Sequence, residues 1–162
     1  MSQLKHSTAS ARAYLAMSLS TLFVGLVPKA PGTWGSLLAL LIWWAIGPLS
    51  LPEGLLLVLL AFILGTVSTH FYEKWFDRHD PKEVVVDELV GMWITLLIIP
   101  LTPLTLIAGF LLFRFFDILK PFPINWIDRK MPGALGTMLD DVLAGVFAFV
   151  LLQSLYRAGW LV

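Results

Sequence analysis

Cysteine is absent from the 162 residues. That excludes a disulfide framework, a thiolate metal site and a cysteine nucleophile. Charge is scarce too: Asp, Glu, Lys and Arg make up 14% of the chain, against roughly 25% in a soluble domain. So few charges cannot cover a sphere this small, which rules against disorder, a coiled coil and a nucleic-acid-binding surface. Eleven Lys and Arg balance eleven Asp and Glu, so the net charge says nothing about partners. Fixed-period repeats, low-complexity segments and any sign of a second domain are also missing.

What is there is apolar. Hydrophobic residues make up 58% and the mean hydropathy is +0.84, the composition of an integral membrane protein. The length is about one domain's worth, a single membrane domain over 1–162. Charge-free runs cover 13–28, 30–52, 54–72, 89–113 and 142–156, and a spanning helix needs about 20 apolar residues. With Pro31-Gly32-Thr33 trimmed as a turn, the spacing predicts spans over 34–49 and 55–71. The long run 89–113 holds Pro100-Leu101-Thr102-Pro103 in its middle, a better turn than kink. It therefore reads as a hairpin of helices over 84–99 and 104–119, with a last span over 140–156. The seven Trp lie mostly near run ends, as an interfacial belt would.

Lys5 and Arg12 ahead of 13–27 imitate a signal peptide. Pro28-Lys29-Ala30 is a poor cleavage site, so an uncleaved helix in the interface is expected. The fold class is thus an all-α polytopic bundle of about five membrane helices plus that N-terminal interfacial helix. With the N-terminus inside, ten of the eleven Lys and Arg fall on the cytoplasmic side, leaving only Arg157 outside, as the positive-inside bias requires. Segments 73–88 and 120–139 are then cytoplasmic.

Three charged constellations fall at that one face: Asp87-Glu88 at the start of the third helix, Arg114, Asp117 and Lys120 at the end of the fourth, and Asp140-Asp141 at the start of the fifth. One carboxylate per helix start would serve as a cap; two adjacent ones repel beside hydrocarbon and suit a hard divalent cation. Gly91 and Gly145 each lie four residues after an Asp, where a small residue lets helices approach closely. Charges at a bilayer are functional by default. Arg114 offers phosphate a planar fork and Lys120 a point charge. Five acids with two bases at a lipid interface point to Mg²⁺-assisted phosphoryl chemistry. The strings 77–83 and Asp128-Arg129-Lys130 read as solvated loops, and His70 as a residue near a helix end.

These blocks, in this order, resemble the bacterial phosphatidylglycerophosphatase A family. The matching strings are Pro31-Gly32-Thr33-Trp34-Gly35-Ser36, Val86-Asp87-Glu88-Leu89-Val90-Gly91, Phe113-Arg114-Phe115-Phe116-Asp117 with Lys120-Pro121, Pro123-Ile124, Asp128-Arg129 and Asp140-Asp141 with Ala144-Gly145. The resemblance implies Mg²⁺-dependent removal of the terminal phosphate of phosphatidylglycerophosphate at the inner membrane. It implies Asp87, Glu88, Asp117, Asp140 and Asp141 as metal ligands or acid/base groups, and Arg114, Lys120 and Thr33 on the phosphate. The partners expected are the phospholipid substrate and the membrane, with no nucleic acid and no obligate protein partner. The chain departs from the family in keeping only Gly25 of a glycine-rich stretch, so no backbone phosphate cradle is expected there. An Asp-x-Asp string, a Cys-x5-Arg loop and the histidine-rich pattern of vanadium-type phosphatases are absent. Alternatives are a metal-dependent phosphatidyltransferase, whose Asp-Gly-x2-Ala-Arg string is missing, and a small cation transporter, which would need its acids near mid-span.

Overall fold

The computed structural model describes residues 2–78 and 81–161. Among them are seven α-helices and no strand: α1 (Ser2–Thr21), α2 (Pro31–Ile46), α3 (Leu51–Phe76), α4 (Val86–Thr95), α5 (Pro103–Leu119), α6 (Ile124–Lys130) and α7 (Ala134–Arg157). A 3₁₀ turn at Val24–Leu26 links the first two. The side chain of Lys5, together with His79 and Asp80, lies outside the described residues.

Two helices, α3 and α7, are long and apolar enough to cross a membrane, rising about 39 Å and 36 Å at 1.5 Å per residue. Leu55, Leu56, Leu59, Leu60, Ile63 and Leu64 of α3 are all exposed, an apolar face far larger than a soluble surface carries. The α1 helix packs along α3.

Helix ends differ from the sequence expectation, each for a local reason. Pro31-Gly32-Thr33 is not a turn: Pro31 opens α2 from an Ala30 in the left-handed region, since proline's missing N–H costs nothing at a first helical position. The α3 helix begins at Leu51 rather than 55, because the Ser50 N–H donates to the Glu53 carboxylate at 2.9 Å and caps the start. Segment 120–139 holds α6 and the beginning of α7, so Asp128-Arg129-Lys130 is helix rather than loop. Asp140-Asp141 therefore stand where the second turn of α7 passes into the third, beyond the capping positions. His70 is exposed within α3, against Phe71.

The largest correction concerns α4. It has ten residues, a rise of about 15 Å, well short of the expected 84–99. Ile98 takes a positive φ of 50° and Ile99 precedes Pro100, a position that disfavours helix. The Gln153 side-chain amide donates to the Leu97 carbonyl at 3.1 Å, supplying a partner where the helix stops. Apart from Glu88, every residue of α4 is buried. It is the core of the bundle, packed among Trp43, Phe113, Met138, Ala148 and Leu152. Trp43 and Trp93 belong to this core rather than to an interfacial belt: both are buried with ring centroids 5.6 Å apart, and the Trp93 indole donates to the Ala39 carbonyl.

The α4–α7 contact is the expected small-residue approach. A Cβ on Gly145 would stand 2.4 Å from the Gly91 carbonyl oxygen, and one on Gly91 2.6 Å from the Asp141 carbonyl oxygen. Thr95 donates to the Gly91 carbonyl at 2.9 Å. This approach sets Asp87, one turn before Gly91, beside Asp141, one turn before Gly145.

Candidate active site

A cleft of about 300 Å³ opens at the end of the bundle where α2 and α4 begin and α5 finishes. All five carboxylates singled out in the sequence line it: Asp87, Glu88, Asp117, Asp140 and Asp141. So do Arg114, Lys120 and Thr33. Residues as far apart in sequence as Thr33 and Asp141 thus meet in one polar hollow, and none of the eight lies elsewhere.

Asp87, Glu88 and Asp141 form the inner group, with one oxygen from each lying within 4.8 Å of the others. Asp87 turns back on its own helix, accepting from the Glu88 N–H at 3.0 Å. Asp140 does likewise for the Asp141 N–H at 3.0 Å. One oxygen of Glu88 and one of Asp141 are fully buried with no hydrogen-bond partner, although buried polar atoms are normally satisfied. Asp117 and Asp87 both lie close enough to Asp141 for direct charge repulsion.

Two cations face this acidic group. Arg114 pairs with Asp117 through Nη1, stands 3.8 Å from Glu88 and donates to the Ser36 hydroxyl at 3.3 Å. Its Nε is buried and unpartnered. Lys120 donates to Asp140 at 2.5 Å and to Asp128 at 2.6 Å. Burial acts to lower the Lys120 pKa, but hydrogen bonds and charge from Asp128 and Asp140 outweigh it. The net direction is upward, and the ammonium stays charged at neutral pH. Counting Lys82, which also lines the cleft, five carboxylates meet three cations, an excess of negative charge in a shielded place.

Several residues escaped the sequence reading. Asp128 is not merely solvated loop, since it shares Lys120 with Asp140; Asp128-Arg129 stood among the strings of the resemblance, but its contact with Lys120, eight residues earlier, is visible only once α6 is known to fold back. Lys82 and Thr137 line the cleft without having been singled out. Within the other string read as solvated loop, Arg78 pairs with Glu83 at 2.7 Å. Gly32 is there for space, because a Cβ would meet Glu88 Oε1 at 2.1 Å. Gly25 is explained by packing, since a Cβ on it would meet the Glu83 carbonyl oxygen at 2.0 Å.

The donor set suits a hard divalent cation. Three converging carboxylates supply oxygens of the kind Mg²⁺ takes, and the orphaned oxygens of Glu88 and Asp141 are free to accept it.

Known proteins sharing this pattern point one way. Residues 17–156 match the family model described as phosphatidylglycerophosphatase A. A protein of that name from Escherichia coli strain K12 is 41% identical over 125 residues, covering 76% of this chain and 73% of the relative. Another of that name, from Haemophilus influenzae, is 41% identical over 133 residues, covering 81% and 82%. A third relative, from Bacteroides thetaiotaomicron, is named as a putative phosphatidylinositol-3-phosphatase and is 41% identical over 146 residues, covering 85% and 89%. No solved structure matches the chain.

Proposed function

The chain belongs to the phosphatidylglycerophosphatase A family, and from that premise we propose that it hydrolyses the terminal phosphomonoester of phosphatidylglycerophosphate, releasing phosphatidylglycerol and phosphate. The observation that carries this reading is the gathering of five carboxylates, Arg114 and Lys120 in one cleft at the end of an apolar bundle. A cation transporter would need its acids along a path through the bundle, and here they share one end.

Asp87, Glu88 and Asp141 are the residues that would hold Mg²⁺, with Asp117 and Asp140 completing the acidic wall. When bound there, the cation would supply charge neutralisation and make a nearby water more acidic. Arg114 and Lys120 take the remaining phosphate oxygens, with Thr33 at the rim as a hydroxyl donor. Asp117 and Asp140 aim those two cations, through the Arg114–Asp117 and Lys120–Asp140 pairs. A water oriented by the carboxylates attacks phosphorus in line and gives a proton to one of them. The P–O bond to glycerol breaks, the leaving oxygen takes up the proton held by the carboxylate, and the diacylglycerol portion stays in the bilayer. The chain would be a multi-pass inner-membrane protein with this cleft on the cytoplasmic side.

Purified protein assayed on phosphatidylglycerophosphate, with and without Mg²⁺, tests the reading. Phosphate release should need the cation and fall about 100-fold or more in Asp87→Asn and Asp141→Asn. Undiminished release by either variant removes that residue from the set, and no release by the unaltered protein overturns the activity. Running phosphatidylinositol 3-phosphate beside it decides the headgroup.

A further inference from the structure

The seam between α2 and α5 changes character along its length. At one end it opens into the polar cleft, through Gly32 and Thr33 of α2 and Arg114 and Asp117 of α5. Further along, the same two helices leave a groove of about 380 Å³ with apolar walls, where Leu37, Leu41 and Trp44 of α2 flank Ile107, Phe110 and Leu111 of α5. The Arg114–Ser36 hydrogen bond marks the junction: Ser36 lies between Thr33 and Leu37, and Arg114 between Leu111 and Asp117. Because α2 runs away from the cleft and α5 towards it, groove and cleft are consecutive stretches of one interface.

A surface that is anionic-phosphate-binding at one end and apolar along the rest has the pattern of a lipid. A second apolar groove, of about 300 Å³, runs between α1 and α3 past Leu15, Leu19, Leu64 and Phe71. Neither α1 nor α3 contributes a residue to the cleft, so a lipid lying there could not present its head to Arg114. Of these two grooves, the α2/α5 one is built from helices that also line the cleft.

We propose that the α2/α5 groove binds an acyl chain of the lipid whose phosphate enters the cleft, and that substrate arrives sideways from the bilayer along this seam. The proposal rests on the lipid-phosphatase reading above. A chain seated there lies along the helices as it does in the leaflet, its glycerol end at the Ser36–Arg114 junction. Ile107 and Leu41, both exposed, form the lips.

Ile107→Trp fills the groove and Leu64→Trp fills the other one. Each is assayed on dipalmitoyl and on soluble dihexanoyl phosphatidylglycerophosphate. Ile107→Trp should raise KM for the long-chain lipid about tenfold, the discrimination a few methylene contacts supply, with kcat on the short-chain lipid unchanged; Leu64→Trp should alter neither. The absence of cysteine allows a second measurement that does not depend on turnover. Single cysteines at Ile107 and Leu64 are exposed to a thiol-reactive dipalmitoyl lipid phosphate with its reactive group at mid-chain. Capture at 107 that excess dipalmitoyl substrate suppresses, without such suppression at 64, supports the proposal even if Ile107→Trp misfolds. Unaltered KM values in Ile107→Trp, or capture at 107 that substrate leaves untouched, overturn it. Inactivity of the unaltered protein on both lipids overturns the lipid-phosphatase reading instead.

Discussion

Lys120 carries two burdens at one position. It closes α5 in the left-handed region with φ 43°, a conformation that costs a non-glycine residue roughly 1–2 kcal/mol, and its ammonium bridges Asp128 and Asp140. Glycine would suit the backbone better, so the side chain is there for its charge. Lys120→Gly and Lys120→Ala separate the two burdens, because both lose the ammonium and only the glycine loses the strain. Phosphate release should fall by a similar factor in both, about tenfold or more, as expected when a charge-assisted contact is lost. Thermal unfolding in detergent should place the glycine variant above the alanine variant by about 1 kcal/mol. Equal activity in the lysine and glycine proteins would remove Lys120 from the site. At this scale the sequence was informative about charge and silent about space. Asp87, Glu88, Asp117, Asp140 and Asp141 stand out because carboxylates are costly beside hydrocarbon. Gly32 does not stand out, because its need comes from a Glu88 side chain 56 positions away.

The helices were legible where hydrophobicity alone decides and misread where a cap or a buried position does. The turn at Pro100–Pro103 stands and Pro103 opens α5, although α4 has already ended at Thr95. The reach of α3 back to Leu51 was hidden because Glu53 interrupts the apolar run while serving as a cap. The ten residues of α4 were read as a span because a core helix and a lipid-facing helix are equally apolar. A short apolar run of this kind is not assigned to core or lipid by periodicity alone. What distinguishes α4 is its contact with α7 at Gly91 and Gly145, and that contact also sets the distance between Asp87 and Asp141. Gly145→Ala places a methyl carbon 2.4 Å from the backbone oxygen of Gly91, a neighbour that cannot swing aside. Overpacking of this kind costs about 1–3 kcal/mol. The variant should unfold at lower temperature in detergent and, where still folded, need more Mg²⁺ for half-maximal phosphate release. A shift in stability with an unchanged Mg²⁺ requirement would mean that the α4–α7 spacing does not set the acidic group.

Across the whole molecule, the few charges are sorted by end. The loops at the cleft end are tied to one another: Gly25 packs on Glu83, Gly133 approaches Glu73, and the Val85 N–H donates to the Ser20 carbonyl. Lys29, Lys74, Arg78, Lys82, Arg129 and Lys130 belong to this end, while Arg157 closes α7 at the other. Segments 48–51 and 96–101 meet at that far end around a shared hollow. Such asymmetry orients a membrane protein with its basic end in the cytoplasm. Single cysteines introduced into this cysteine-free chain report the orientation directly. An impermeant maleimide added to intact spheroplasts should label Ala158→Cys, beyond α7, and Leu104→Cys, at the hairpin tip, but spare Lys130→Cys on α6 until the membrane is opened. Labelling of 130 alone would turn the cleft outward. Labelling of 130 and 158 from one side would mean that α7 does not cross. Protection of 104 with labelling of 158 would leave α4 and α5 as a re-entrant pair, a geometry that the 15 Å rise of α4 makes the sharpest rival to a full hairpin span. The α5 helix decides between them: its 17 residues rise about 26 Å, so a hairpin whose returning arm nearly spans the hydrocarbon should expose its tip, with the shorter α4 reaching the same level through the irregular segment 96–101.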